Sequence, residues 1–231
     1  MCSLQKSADE STEPLKTTIK RFCIVVIFGI AFGYIEAAVV VYLREIFYPD
    51  GFTFPLTVFG IDQLSKRLLL TEIGREAATM VLIFSGAWLF GRNHRQRFAY
   101  FLAIFALWDI FYYVWLKVLL NWPASIMDWD VLFLIPVTWA SAVLYPVLIS
   151  ITLLIFAAVI LYRDTRGKSI KVTRTDWLIF IIAGIIVVAS FCTPGPYVTE
   201  PDYKSYFYWP LFAAGLLLAV GMFLKCLLKS K

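Results

Sequence analysis

The stretch "LLLTEIGREAATMVLIF", Leu68 to Phe84, decides how the chain is read. It has the apolar content of a membrane span, yet Glu72, Arg75 and Glu76 lie inside it. Spacings of three and four residues put these side chains on one helix face, and Thr79 and Ile83 continue that face. Charged groups at membrane depth face other helices or a water-filled cavity, because lipid does not solvate them. The segment therefore reads as one helix of a bundle, with its polar stripe turned inward.

The rest of the chain agrees. Of 231 residues, 61% are hydrophobic, against about half in a soluble globular domain. Apolar runs long enough to cross a bilayer recur along the whole length. They are continuous and do not alternate, which excludes a β-barrel. The expected fold is an all-α membrane protein, a bundle of six transmembrane helices. The spans are expected at about residues 22–43, 68–90, 98–120, 142–162, 177–191 and 207–228. Residues 1–19 read as a flexible, solvated tail, and 20–231 as a single transmembrane domain.

Orientation follows from the basic residues. Of the 21 Lys and Arg, fifteen flank the side that carries both termini, four lie on the opposite side, and Arg75 and Lys117 lie in or near the membrane. This asymmetry places both termini in the cytoplasm. The same flanking residues account for the net charge of +5, and no nucleic-acid motif accompanies it. On the outer side, "PYVTEPDYKSYFYWP" (196–210) has the tyrosine and tryptophan density of an interfacial belt. Two further outer segments break the span pattern. "FPLTVFGIDQLSKR" (54–67) suits an interfacial helix or a lid, with Asp62 placed to cap the second span. "DVLFLIPVTWASAVLYP" (130–146) is apolar but interrupted by Pro136 and Pro146, and is expected to be re-entrant.

The polar chemistry is concentrated in spans one to three. Span one contributes Glu36, in the frame "GIAFGYIEAA", where Gly29 and Gly33 form a Gly-x-x-x-Gly contact face. Span three contributes Asp109 in "LWDIFYYVWLK", with Tyr112 and Tyr113 close to the same face and Lys117 placed to snorkel outward. Asp128 and Asp130 read as loop or helix-cap residues, with a place on the cavity rim as the alternative. Spans four to six carry no acid in their cores. One polar cavity opening outward is therefore expected, formed by Glu36, Glu72, Arg75, Glu76, Asp109, Tyr112 and Tyr113. Four acids against one arginine leave a net charge of −3 if all ionise. Such a site attracts cations or binds protons; the same groups can also serve as a buried clamp.

Other chemistry is thinly represented. The one histidine, His94, falls in a loop, and Cys2, Cys23, Cys192 and Cys226 are scattered. Heme and zinc are not expected, and no cofactor is identifiable, although carboxylates of this kind can hold a divalent cation. Three roles remain open: binding or conducting a cation or proton, service as an accessory subunit bound to other membrane subunits, and metal-dependent enzymatic action on a lipid headgroup. No inverted repeat supports a complete carrier, and no DDxxD motif supports the enzyme.

The segments "GYIEAAVVVYLRE", "TEIGREAAT" and "WDIFYYVWLKVLLNWPASIMDWDVLFLIPVTW" resemble a family of small bacterial multi-pass membrane proteins, over about residues 30–150. The resemblance implies a bacterial inner-membrane location. It implies no activity and assigns no role to any residue.

The expected topology is tested by cysteine labelling from outside intact cells. A cysteine in place of Lys204, in the outer 196–210 segment, should react, and one in the 163–174 loop should not. Labelling of that loop would overturn the orientation.

Overall fold

The computed structural model describes residues 15–58 and 66–230. They form helices α1 (Leu15–Phe47), α2 (Lys66–Phe90) and α3 (His94–Leu120), strands β1 (Trp129–Phe133) and β2 (Trp139–Ala142), and helices α4 (Leu144–Thr165), α5 (Arg174–Cys192) and α6 (Trp209–Lys229). Helices α1, α3, α4, α5 and α6 are long and apolar enough to cross a membrane. α2 is long enough, at about 38 Å, but its charges lower its apolar character. Ile27, Val81, Leu89, Ile185 and Leu217 are exposed on the helix surfaces, as lipid-facing residues are in a bundle of this composition.

Several boundaries differ from the expected ones. α1 starts at Leu15, inside the segment read as a polar tail, and residues 1–14 lie outside the described residues. Residues 59–65, with Asp62 and much of the expected lid, also lie outside them. His94 is not in a loop: it opens α3, one residue after the Asn93 cap, whose side chain accepts from Gln96 N. The linker between α2 and α3 is accordingly very short.

The segment expected to be re-entrant is a β-hairpin. β1 and β2 pair antiparallel, with Trp129 opposite Ala142 and an irregular register between Val131 and Phe133. The strands satisfy each other's backbone groups, as membrane-depth backbone must, without a half-helix. Pro136 falls between the strands. Pro146 sits in the first turn of α4, where the absent N–H costs nothing.

α3 is the central helix, packed against α1, α2 and α4, while α5 packs chiefly against α6. The α1–α3 approach depends on small residues. A Cβ at Gly29 would lie 2.5 Å from Leu107 Cβ. One at Gly33 would lie 2.9 Å from Phe111 Cβ and 3.0 Å from the Trp108 carbonyl oxygen. The main core lies among α1–α4 and includes Val25, Ile83, Tyr100 and Ile104. A second core caps one end, where the hairpin meets the 195–207 segment. There the Trp129 ring lies 4.9 Å from Tyr203 and 6.0 Å from Phe207. The expected aromatic belt is thus divided: Tyr203 and Phe207 are core, and Tyr208 and Trp209 are exposed.

Gly33→Leu should overpack the α1–α3 seam and cost about 1–3 kcal/mol. Gly74→Ala, with open space around the added Cβ, should be neutral or stabilise by up to about 1 kcal/mol. Thermal unfolding in detergent distinguishes them. Equal tolerance of both changes would show that the seam is not closely packed.

Candidate functional site

The polar face of α2 is met by α1 and the hairpin. Arg75 Nε donates to Glu72 Oε2 at 2.8 Å within α2. Arg75 Nη1 makes a short ion pair with Glu36 Oε1 on α1. The Thr79 hydroxyl lies 3.4 Å from Glu36 Oε2. Glu36 and Glu76 are buried. One helical turn of α2 therefore presents an arginine held between two carboxylates, which keeps all three charges out of lipid.

Glu76 points elsewhere. Its two carboxyl oxygens accept from the backbone N–H of Leu134, at 3.0 and 2.9 Å. Leu134 follows directly after β1, where the ladder no longer supplies a partner for its N–H. Asp109 on α3 accepts from the Ser150 hydroxyl of α4 at 2.8 Å. Among the described residues, neither Glu76 nor Asp109 forms an ion pair.

A second buried pair joins α1 to the hairpin. Arg44 Nη2 donates to Asp130 Oδ1 at 3.0 Å, and the Tyr112 hydroxyl donates to Asp130 Oδ2 at 3.1 Å. The Arg44 guanidinium lies between the rings of Phe52 and Trp122, 3.8 Å from each centroid. Two aromatic faces and one carboxylate thus replace its water. These residues depart from expectation: Arg44 is one of the four basic residues that the charge pattern puts on the outer side, and Asp130 is expected in a loop or helix cap, yet both are buried. The sequence carries no signal for them, since Glu45 adjoins Arg44 and Asp128 lies two residues before Asp130. Asp128 does act as a loop cap, accepting from Ala124 N and Ser125 N. Lys117 bonds the carbonyls of Asn121 and Pro123 at the end of α3.

A cavity of about 670 Å³ reaches part of this set; Arg44, Asp130 and Glu72 are not in its lining. Glu36, Arg75, Glu76, Asp109, Tyr112 and Tyr113 line one part of it, so six of the seven expected site residues share it. Glu72 contributes only through Arg75. Asp109 shares the space without touching the α2 cluster; its bond is to Ser150, a residue the sequence gave no reason to select. The lining continues along α3 as far as His94, with Asp164 and Lys168 at that end. The cavity is therefore not confined to the half of the bundle that carries the acids. α5 and α6 close its far side through residues such as Phe180, Phe191 and Phe223. Most of its wall is apolar. Among the described residues, no group of three or more His, Cys, Asp or Glu is arranged to hold a metal ion.

Comparison with known proteins finds no matching family model, no matching curated protein and no matching solved structure.

Arg44→Met should cost on the order of 3–5 kcal/mol, because it strands a buried carboxylate. Combining it with Asp130→Leu should cost less than the sum of the single changes. Unfolding of the three variants in detergent checks this. Additive losses would mean the two side chains are not energetically coupled.

Proposed function

We propose that this chain is a six-span protein of a bacterial inner membrane, with both termini cytoplasmic, that holds a proton or a cation at Glu76 and Asp109. One observation carries the reading: two carboxyls line a cavity among apolar helices without an ion-pair partner. The neighbouring charges are already engaged. Arg75 is held by Glu36 and Glu72, and Arg44 by Asp130. A carboxyl left over in such a place binds a proton, or binds a cation when ionised. A structural clamp needs Glu36, Glu72 and Arg75; it does not need Glu76 and Asp109.

The sixth span is α2. Its charges face α1 and the hairpin, and its exposed residues include Leu70, Val81, Leu82, Phe84 and Leu89. A helix with this division can sit in lipid when its polar stripe is covered. An even number of spans puts both termini on one side, and the excess of basic residues makes that side cytoplasmic.

The test is the unfolding temperature of the purified protein in detergent as pH and cation concentration vary. Wild type should respond to both, since a ligand at 100 times its Kd stabilises by about 2.7 kcal/mol. Asp109→Asn with Glu76→Gln should remove the response and leave a folded protein. Arg75→Gln should destabilise it outright. If wild type shows no response and only Arg75→Gln unfolds, the charges are a clamp and the reading is wrong.

A further inference from the structure

Glu76 and Asp109 are both tied to an aromatic wall. Asp109 follows Trp108 in α3, and Glu76 binds the N–H of Leu134, which follows Phe133. The rings form a continuous line across the cavity from α3 through the hairpin to α5. Phe105 and Trp108 are 5.6 Å apart, Trp108 and Phe133 5.9 Å, Phe133 and Trp139 5.4 Å, and Trp139 and Phe191 6.4 Å. All five rings line the cavity.

Two polar atoms on this wall lack partners. The indole Nε1 atoms of Trp108 and Trp139 are buried and make no hydrogen bond. Trp108 is only 5% exposed. A buried N–H without an acceptor is costly, and native proteins seldom leave one. Both nitrogens are closed off by protein atoms, so the wall presents ring faces to the cavity and not these donors.

The volume sets the size of the occupant. A cavity of about 670 Å³ falls within the range of organic-ligand pockets, roughly 300–1,000 Å³. A bare metal ion would leave nearly all of it empty, and no metal-ligand group of three or more side chains is present among the described residues. A purely hydrocarbon occupant would leave the two carboxyls unanswered. Aromatic faces beside carboxylates suit an ammonium group carried on an apolar body.

Building on the reading of Glu76 and Asp109 as a proton or cation site, we propose that the cavity between α3–α4 and α5–α6 binds a lipophilic organic cation. Glu76 and Asp109 hold its charge. The rings of Trp108, Phe133 and Trp139 contact its apolar part. Protons that occupy the carboxyls in its absence leave as it binds.

The experiment uses the full chain in detergent and two related probes. Tetracaine is a lipophilic ammonium compound with an ester oxygen. Butamben is a neutral aminobenzoate ester of similar body. Equilibrium dialysis at neutral pH should give saturable tetracaine binding at least about tenfold tighter than butamben binding. Binding should weaken as pH falls, because protons compete for Glu76 and Asp109 beside Glu36, Glu72, Arg75, Asp130 and Ser150. Asp109→Asn should weaken tetracaine binding about tenfold or more. Trp139→Leu removes an aromatic face from the wall, and should weaken it about three- to tenfold.

Equal affinity for the two probes in wild type would overturn the proposal without any variant, since the site would then be one for neutral amphiphiles. Unsaturable uptake that matches empty micelles would overturn it as well. An unchanged affinity in Trp139→Leu would overturn the placement of the ligand against the aromatic wall. If unfolding still responds to pH through Asp109 and Glu76 while tetracaine shows no preference, the ligand class is wrong and the proton site stands. If both responses are missing, the proton or cation site falls too.

Discussion

An arginine keeps its proton wherever the chain carries it, so an arginine among apolar helices must be met by the protein itself. Arg75 and Arg44 impose that condition at two places in this bundle. Arg75 draws Glu72 from its own helix and Glu36 from α1, which fixes the rotation of α2 against α1. Arg44 draws Asp130, which pins the β-hairpin to the end of α1. The two pairs act together with the glycine seam between α1 and α3, where Gly29 and Gly33 allow backbone approach. Ion pairs of this kind contribute little net stability against an apolar alternative. What they supply is orientation, because any other rotation strands a charge.

Once the arginines are satisfied, the remaining acids acquire a different meaning. Glu76 and Asp109 are supported by one backbone N–H and one hydroxyl. These donors position a carboxyl in either protonation state and do not neutralise it. The same hairpin that supplies Asp130 to Arg44 also supplies the Leu134 N–H to Glu76. It supplies Phe133 and Trp139 to the cavity wall as well. A short irregular segment thus joins the structural charges to the candidate site. Its strands are compatible with burial because their backbone groups pair with each other.

The division of the helices gives the cavity its shape. α3 serves as the axis of the α1–α4 body, and α5 with α6 forms a second pair. The space between them is lined by aromatic and aliphatic side chains, and the acids lie in one part of it. The aromatic cap formed by Trp129, Tyr203 and Phe207 closes one end of the molecule beside that space. The two parts meet at the cap and again along the bundle, where Phe156 stacks on Phe223 at 3.9 Å and Phe98 meets Trp177 at 5.2 Å, and the interior between these contacts remains open enough for an occupant.

The sequence by itself determined the helical class, most span boundaries to within a few residues, and the charged face of α2. Those features depend on local hydrophobicity and on a period of 3.6 residues, which the chain carries in full. The pairing of Glu36 with Arg75 was foreseeable too, because an acid and a base at similar depth in neighbouring spans have few other ways to be solvated. The hairpin was not legible, since a short apolar run broken by proline reads equally as a re-entrant turn. Arg44 and Asp130 were misplaced because each lies near the end of an element, where a charge can turn to water or inward. Which way it turns depends on Phe52, Trp122 and Tyr112, residues from three other segments. The bond from Ser150 to Asp109 likewise arises only when α3 and α4 meet. Tertiary structure decided these points because each partner lies far away in sequence. No local pattern states which of several polar groups will share an interior from which water has been removed.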